Sequence, residues 1–139
     1  MNRTNSNLFV VTGGPGSGKT TALLELQKRG FRIAPEVARQ IIQEQVHAGG
    51  NALPWGDRES YTRLMLERSI ESYRENSGRE HTDAAASVEG NVMLFDRGIP
   101  DTLTYARMIG LSDDEFIRNA CEEYRYASRV FVAPPWCEI

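Results

Sequence analysis

Four short and largely apolar runs interrupt an otherwise polar chain, at residues 8–11, 31–34, 92–95 and 129–133. Runs of four or five such residues are too short for helices, and strands that are apolar throughout are buried on both faces of a sheet. The pattern therefore predicts four strands of a central sheet that is covered on both sides.

Between these strands, apolar residues recur at helical spacing, which predicts amphipathic helices. Gly30 and Gly110 are expected just past helix ends, whereas Asp57 and Asp101 are suited to cap helix starts. The stretch 76–90 is polar and rich in Ala and Ser, which predicts a connector or a short irregular helix. Strands that alternate with helices predict an α/β fold with a mostly parallel sheet. The predicted helices cover residues 19–29, 36–46, 57 to at least 73, 101–108, and a last segment that a capping box begins at 112–115.

The segment GGPGSGKT, residues 13–20, fits the pattern G-x-x-x-x-G-K-[ST] and lies between a predicted strand and a predicted helix. Its glycines let the backbone N–H groups curl around an anion through conformations that a Cβ would obstruct, and Pro15 stiffens the curl. A glycine-rich turn that binds nothing is the alternative, but the full pattern in this setting favours a phosphate cradle. The expected nucleotide contacts are Gly13, Gly14, Pro15, Gly16, Ser17, Gly18, Lys19, Thr20 and Thr21.

Within this cradle Lys19 is expected to reach the β- and γ-phosphates, and the Thr20 hydroxyl to bind Mg²⁺. In open α/β sheets, ligands lie beyond the carboxyl ends of the strands, where Asp96 follows the third strand. We therefore predict that Asp96 is the second metal residue, opposite Thr20. The alternative role for Asp96 is to stabilise a turn.

Glu36 follows the second strand and is a candidate to orient or deprotonate a hydroxyl acceptor. Arg39, one helical turn further on, and Arg97, beside Asp96, are candidates to hold the acceptor or the transferred phosphate. Each has a plainer alternative: Glu36 complements a helix dipole, and each arginine forms an ordinary salt bridge. We predict Lys19, Glu36, Asp96 and Arg97 as catalytic residues and Glu36, Arg39 and Arg97 as substrate contacts.

The 139 residues are enough for one domain, and 40% hydrophobic and 25% charged residues are typical of a globular protein. A net charge of −3 gives no electrostatic indication of nucleic acid or of a membrane surface as a partner. No signal peptide or membrane-spanning run is evident, and Cys121 and Cys137 have no metal-type spacing, so we expect free thiols in the cytoplasm. We expect no metal at His47 or His81.

Several segments together resemble the AAA-domain family of small P-loop ATPase/kinase-like proteins. That family is similar to nucleoside kinases, including the nicotinamide riboside kinase domain of bacterial NAD regulators. The resemblance implies a three-layer P-loop NTPase fold of the kinase type, with the cradle strand beside the Asp96 strand. It also implies ATP and Mg²⁺ as cofactors. The segments are 9–21, 35–39, 53–55, 95–101 and 134–136.

Members of this family continue beyond Pro134-Pro135-Trp136 through a basic lid helix and a further strand and helix. We therefore expect residues 1–139 to form a single nucleotide-binding domain that is incomplete at its C-terminus. Absent lid arginines would lower phosphoryl transfer by roughly 10³-fold or more, and an absent strand would leave an exposed sheet edge. Trp55 and Trp136 are expected to pack, with stacking on a base as the alternative.

Three functions remain open. The leading one is an ATP-dependent phosphotransferase that acts on a small nucleoside-like or other hydroxyl acceptor. The second is an ATPase or triphosphatase that uses water as the acceptor. The third is a nucleotide-dependent switch without turnover. The sequence does not distinguish ATP from GTP and does not give the oligomeric state, and fold alone does not separate these functions.

Overall fold

The computed structural model describes residues 3–4, 7–14, 17–77, 91–111 and 115–134. Its strands are β1 (Arg3–Thr4), β2 (Leu8–Gly13), β3 (Arg32–Ala34), β4 (Met93–Asp96), β5 (Tyr124–Arg125) and β6 (Phe131–Ala133). Its helices are α1 (Lys19–Lys28), α2 (Val37–Ala48), α3 (Arg58–Ser77), α4 (Ile99–Met108) and α5 (Glu115–Glu123).

The four strands predicted from the apolar runs form one parallel sheet in the order β3-β4-β2-β6. The strand before the glycine-rich loop, β2, lies beside β4, with Val11 opposite Asp96. This arrangement confirms the α/β class and the parallel sheet of a P-loop NTPase fold. Because all four strands run in one direction, their carboxyl ends meet at one edge, and the predicted site residues follow there.

Alternate residues of β2 face opposite sides of the sheet, as a strand requires. Leu8 and Val10 belong to a core that includes residues of α3, α4 and α5, among them Tyr73, Ile99 and Ala120. Val11 packs with Leu23 of α1 on the other side. The sheet is therefore covered by helices on both faces, as the sequence predicted.

Helix ends follow the predicted signals closely. Gly30 and Gly110 both have positive φ, 101° and 88°, just beyond the ends of α1 and α4. The Asp57 Oδ1 atom accepts a hydrogen bond of 3.1 Å from the backbone N–H of Ser60, which confirms Asp57 as the cap of α3. The connector predicted from residue 76 was placed too early, since α3 continues to Ser77.

Two helix starts differ from the prediction. Helix α2 begins at Val37 rather than Glu36, and Glu36, the residue that precedes the helix, has an extended backbone. Helix α4 begins at Ile99, two residues before the predicted cap Asp101. Pro100 fits the first turn of α4 because its fixed φ suits a helix and its missing N–H needs no partner there.

The short parallel pair of β1 and β5 was missed by the sequence analysis. At the other sheet, β6 is an edge strand whose Phe131 and Val132 are 47% and 67% exposed. Trp55 is 69% exposed, so the expectation that it packs is wrong. Within the described residues, no helix is both long and apolar enough to cross a membrane.

Several predictions lie outside the described residues. They concern Pro15 and Gly16 of the glycine-rich loop, the connector 78–90 with His81, the capping residues 112–114, and the C-terminal residues 135–139 with Trp136 and Cys137.

Candidate functional site

The glycine-rich loop joins the carboxyl end of β2 to the start of α1. Gly18 directly precedes α1 with φ of 80°, a left-handed conformation that favours glycine. The backbone N–H of Ser17 donates to the Gly14 carbonyl at 3.3 Å, which turns the loop toward the helix. The Ser17 side chain is buried, and its Oγ atom has no hydrogen-bond partner in the part of the chain that the structure describes.

Glycine is required at only some of the predicted loop positions. A Cβ at Gly13 would lie 2.8 Å from the Ala133 carbonyl oxygen and 2.9 Å from Ser17 Oγ, so the close approach of β6 demands glycine. A Cβ at Gly14 would meet no atom within 4 Å, and φ there is not in the left-handed range. The prediction that the backbone needs glycine is therefore wrong for Gly14 in the absence of a ligand.

Lys19 begins α1 and is 7% exposed, which is unusual burial for a lysine. Its Nζ forms an ion pair with Asp96 Oδ1 and lies 3.7 Å from Glu36 Oε2. The carboxylate side chains of Glu36 and Asp96 are 16% and 14% exposed. One buried cation therefore lies between two partly buried carboxylates at the mouth of the loop.

Arg97 holds a backbone conformation that is rare for a residue with a Cβ, with φ of 64°. Its N–H donates to the Val11 carbonyl at 2.9 Å. Its guanidinium donates from Nη2 to the Gly13 carbonyl at 2.8 Å, and Nη1 lies 3.4 Å from Glu36 Oε1. The turn after β4 thus directs Arg97 toward the glycine-rich loop, where Nε is buried without a partner among the described residues.

The start of α4 is tied to the end of β2. Asp101 accepts a hydrogen bond of 2.5 Å from Thr12 Oγ1 and another of 2.8 Å from the Gly98 N–H. Asp101 therefore holds its helix start from within the first turn, rather than from the cap position predicted for it. The sequence analysis did not identify Thr12 as its partner.

These elements enclose one cleft of about 660 Å³. The structure brings Lys19, Glu36, Asp96 and Arg97 together, whereas Arg39 lines the same cleft from α2 with an exposed side chain. Thr20 also lines it and is exposed. The predicted residues in its lining are Gly14, Ser17, Gly18, Lys19, Thr20, Thr21, Glu36, Arg39, Asp96 and Arg97.

The cleft has a second wall that the sequence analysis missed, formed by Tyr61 and Met65 of α3 and Tyr105 of α4. Burial raises the pKa of Tyr61 to about 12, with smaller contributions in the same direction from Tyr105 and the Glu36 carboxylate. In the sequence, the spacing of four between Tyr61 and Met65 indicates only that the two residues share a helix face. Core residues have the same spacing, so it does not indicate that these residues line a cleft.

The arrangement fits a phosphate group and a magnesium ion. The unpartnered Ser17 Oγ, the close packing around Gly13 and the buried Lys19 are features of an anion cradle. Among the described residues, no group of three or more His, Cys, Asp or Glu side chains is placed to hold a metal. Thr20 and Asp96, the predicted metal residues, both line the cleft, and Mg²⁺ commonly takes one or two protein oxygens while phosphate and water supply its other ligands.

The family model described as AAA domain matches residues 8–139. No curated protein and no solved structure matches the chain. P-loop AAA domains generally bind nucleotide with Mg²⁺. The glycine-rich loop at the end of β2, the parallel sheet and this match over nearly the whole sequence agree, and the chain belongs to the AAA-domain family of P-loop proteins.

Proposed function

We propose that this protein is an ATP-dependent phosphotransferase that transfers the γ-phosphoryl group to the hydroxyl of a small, nucleoside-like acceptor in the cytoplasm. The observation that carries the proposal is the position of Glu36. Its carboxylate lies 3.7 Å from Lys19 Nζ and 3.4 Å from Arg97 Nη1, at the point where the loop meets the rest of the cleft.

The contacts of Glu36 support a role in acid–base chemistry rather than in helix capping. It precedes α2, yet its side chain makes no capping hydrogen bond and faces Lys19 and Arg97 instead. A carboxylate beside the phosphoryl group accepts the proton of an incoming hydroxyl. The acceptor oxygen bonds to the γ-phosphorus, the bond from that phosphorus to its bridging oxygen breaks, and ADP leaves with the electron pair.

Lys19 and Arg97 supply the positive charge that phosphoryl transfer needs. Both now face carboxylates, so nucleotide binding exchanges these partners for phosphate oxygens. Thr20 and Asp96 would hold Mg²⁺, which when bound neutralises charge on the phosphates. The backbone N–H groups of Gly18 and of the start of α1 would favour the anion.

The size of the cleft favours a kinase over a hydrolase. Water needs no space beyond the phosphate, whereas the cleft continues past Glu36 to Tyr61 and Tyr105. The similarity to nucleoside kinases that is expected for the AAA-domain family points the same way.

The test is an incubation with γ-labelled ATP and Mg²⁺, with and without a panel of nucleosides, in which free phosphate is separated from phosphorylated products. Lys19→Ala is the blank, and Lys28→Ala is the matched control because Lys28 is exposed at the other end of α1. Label in an acceptor-dependent product supports the kinase. Acceptor-independent phosphate release would instead support the ATPase, and binding without turnover would support the switch.

A further inference from the structure

Three consecutive residues at the carboxyl end of β2 each hold the segment that follows β4. The Val11 carbonyl accepts a hydrogen bond of 2.9 Å from the N–H of Arg97, and the Gly13 carbonyl accepts one of 2.8 Å from Arg97 Nη2. Between them, Thr12 Oγ1 donates to Asp101 Oδ1 at 2.5 Å. The strand that leads into the glycine-rich loop is therefore fastened at three points to the segment that carries Arg97 into the cleft.

One of these three contacts joins two side chains, neither of which belongs to Arg97. The carbonyls of Val11 and Gly13 are backbone acceptors that any residue would supply. The contact between them needs the hydroxyl of Thr12 and the carboxylate of Asp101, and hydrogen bonds to an ionised carboxylate are stronger than those between neutral groups. The bond between these two side chains is therefore the contact that a substitution away from Arg97 can remove.

Asp101 also holds the turn itself. Its second carboxylate oxygen, Oδ2, accepts a hydrogen bond of 2.8 Å from the N–H of Gly98, the residue that directly follows Arg97. One carboxylate thus binds β2 through one oxygen and the turn after β4 through the other.

The core supports the same turn from below. A Cβ at Gly98 would lie 2.9 Å both from Cζ of Tyr126 and from Cγ2 of Val10, and these two residues are only 8% and 3% exposed. The Tyr126 hydroxyl accepts a hydrogen bond of 3.2 Å from the N–H of Ile99. The turn therefore rests directly on buried side chains and has no room to move toward them.

Arg97 needs this support because its backbone conformation is unfavourable. With φ of 64° it lies in the left-handed region, which a residue with a Cβ keeps only where its surroundings hold it there. Relaxation of this backbone would turn the guanidinium away from the Gly13 carbonyl and from Glu36, whose Oε1 lies 3.4 Å from Nη1. The direction of the guanidinium thus depends on the contacts that hold the turn.

We propose that Thr12 and Asp101 are positioning residues for phosphoryl transfer, because their hydrogen bond keeps the Arg97 guanidinium aimed at the glycine-rich loop. This inference rests on the proposed phosphotransferase function for its effect on the rate, whereas the position of Arg97 can be measured without turnover. Thr12 is not among the described residues that line the cleft, so it acts through Arg97 rather than on the substrates.

The test removes the hydroxyl of Thr12 while keeping the shape of its side chain. Single-turnover transfer and the affinity for a non-hydrolysable ATP analogue are measured for Thr12→Val, for Thr12→Ser and for both Thr12→Val and the wild-type residue in an Arg97→Ala background. Thr104→Val is the matched control, since the Thr104 hydroxyl donates only within α4, to the Pro100 carbonyl at 3.1 Å.

A second measurement follows Arg97 directly. Its Nε is buried without a partner among the described residues, so the hydrogen on this atom should exchange slowly with solvent. The exchange is followed by NMR, with the signal assigned by its loss in Arg97→Lys. Urea unfolding shows whether each variant is folded. If Thr12→Val is not, Asp101→Asn replaces it, because an amide has one acceptor oxygen where the carboxylate serves two donors.

We expect Thr12→Val to lower the transfer rate by about 10²-fold, with an affinity for the ATP analogue within about threefold of wild type. The Nε hydrogen of Arg97 should exchange about tenfold faster or more in this variant. Thr12→Ser should restore both properties, and Thr104→Val should change neither. In the Arg97→Ala background, Thr12→Val should cause no further loss, since the two residues act as a unit.

Three results would overturn the inference and leave the kinase intact: an unchanged transfer rate in Thr12→Val, a loss of transfer without faster exchange, or a loss that is equally large in the Arg97→Ala background. If the wild type transfers phosphate to no acceptor, the kinase is rejected and the exchange measurement decides alone. Faster exchange in Thr12→Val would then support the positioning of Arg97, and unchanged exchange would reject it.

Discussion

Lys19 forms an ion pair with Asp96, 77 positions further along the chain, and their side chains are only 8% and 14% exposed. The pair joins the first residue of α1 to the last residue of β4, which are brought together because β2 and β4 are neighbours in the sheet. The fold therefore holds the lysine predicted to bind phosphate against the residue predicted to bind the metal.

Replacing this lysine should destabilise the free protein as well as its complex. In Lys19→Met, the partly buried carboxylates of Glu36 and Asp96 lose their shared cation and repel each other, although Glu36 keeps Arg97. Breaking a buried pair on one side costs about 3 kcal/mol, measured as the free energy of urea unfolding without nucleotide.

The double variant Lys19→Met, Asp96→Asn removes one of the two charges and should recover part of that loss. Lys28→Met, at the exposed end of the same helix, controls for helix propensity. Wild-type stability in Lys19→Met would show that the pair does not stabilise the free fold.

Substituting the proposed base should separate catalysis from nucleotide binding. In Glu36→Gln, the proton acceptor for the hydroxyl is lost while the shape of the site is kept, so transfer to an acceptor should fall by about 10² to 10⁴. ATP affinity should be retained. The neutral side chain in Glu36→Gln no longer pairs with Lys19 and Arg97, so both cations remain free to bind phosphate. Single-turnover transfer and equilibrium binding measure the two effects.

Glu25→Gln is the matched control, since Glu25 is exposed on α1 and pairs with Arg29. Retained transfer in Glu36→Gln would remove Glu36 from the role of base and leave it as a partner of Lys19.

The backbone at Arg97 offers a test that distinguishes strain from side-chain function. With φ of 64°, any residue with a Cβ is strained there, so Arg97→Gly should be more stable than Arg97→Ala by about 1 kcal/mol in urea unfolding. Both variants should lose phosphoryl transfer equally, because both lack the guanidinium. Equal stability of the two variants would mean that the turn relaxes when the side chain is removed.

The sequence predicted the elements that depend on local patterns. The apolar runs at 8–11 and 92–95 form neighbouring central strands. Gly30, Asp57 and Gly110 mark helix ends, because the backbone conformation or hydrogen bond involved is formed with residues close by in the sequence. The rule that ligands lie beyond the carboxyl ends of parallel strands likewise predicted that residues after different strands would meet at one edge of the sheet.

What the sequence did not predict depends on contacts between distant positions. Thr12 and Asp101 are 89 positions apart, and nothing near either residue signals their hydrogen bond. The two-residue strands β1 and β5 are too short to show alternation. Tyr61 and Tyr105 were hidden for a different reason, because residues that line a cleft and residues that fill a core have the same helical spacing.

The thiol of Cys121 should be slow to react. Cys121 is a free, half-buried cysteine beside the core, and burial raises its pKa, an effect that Glu122 adds to and Arg107 opposes. A raised pKa leaves less thiolate, the reactive form, at any pH below it. In a Cys137→Ser background, alkylation by iodoacetamide near neutral pH should therefore be at least several-fold slower in the folded protein than in urea.

The raised pKa of Cys121 also sets how its alkylation rate changes with pH. Because the folded state keeps the proton to higher pH, the alkylation rate of folded protein should still rise at pH values where that of unfolded protein has levelled off. The stabilising contribution of the neutral thiol is fully present below the unfolded pKa and is lost as pH rises through the folded pKa. Cys121→Ser should remove the labelling altogether, and equal rate profiles in the folded and unfolded protein would contradict burial of this thiol.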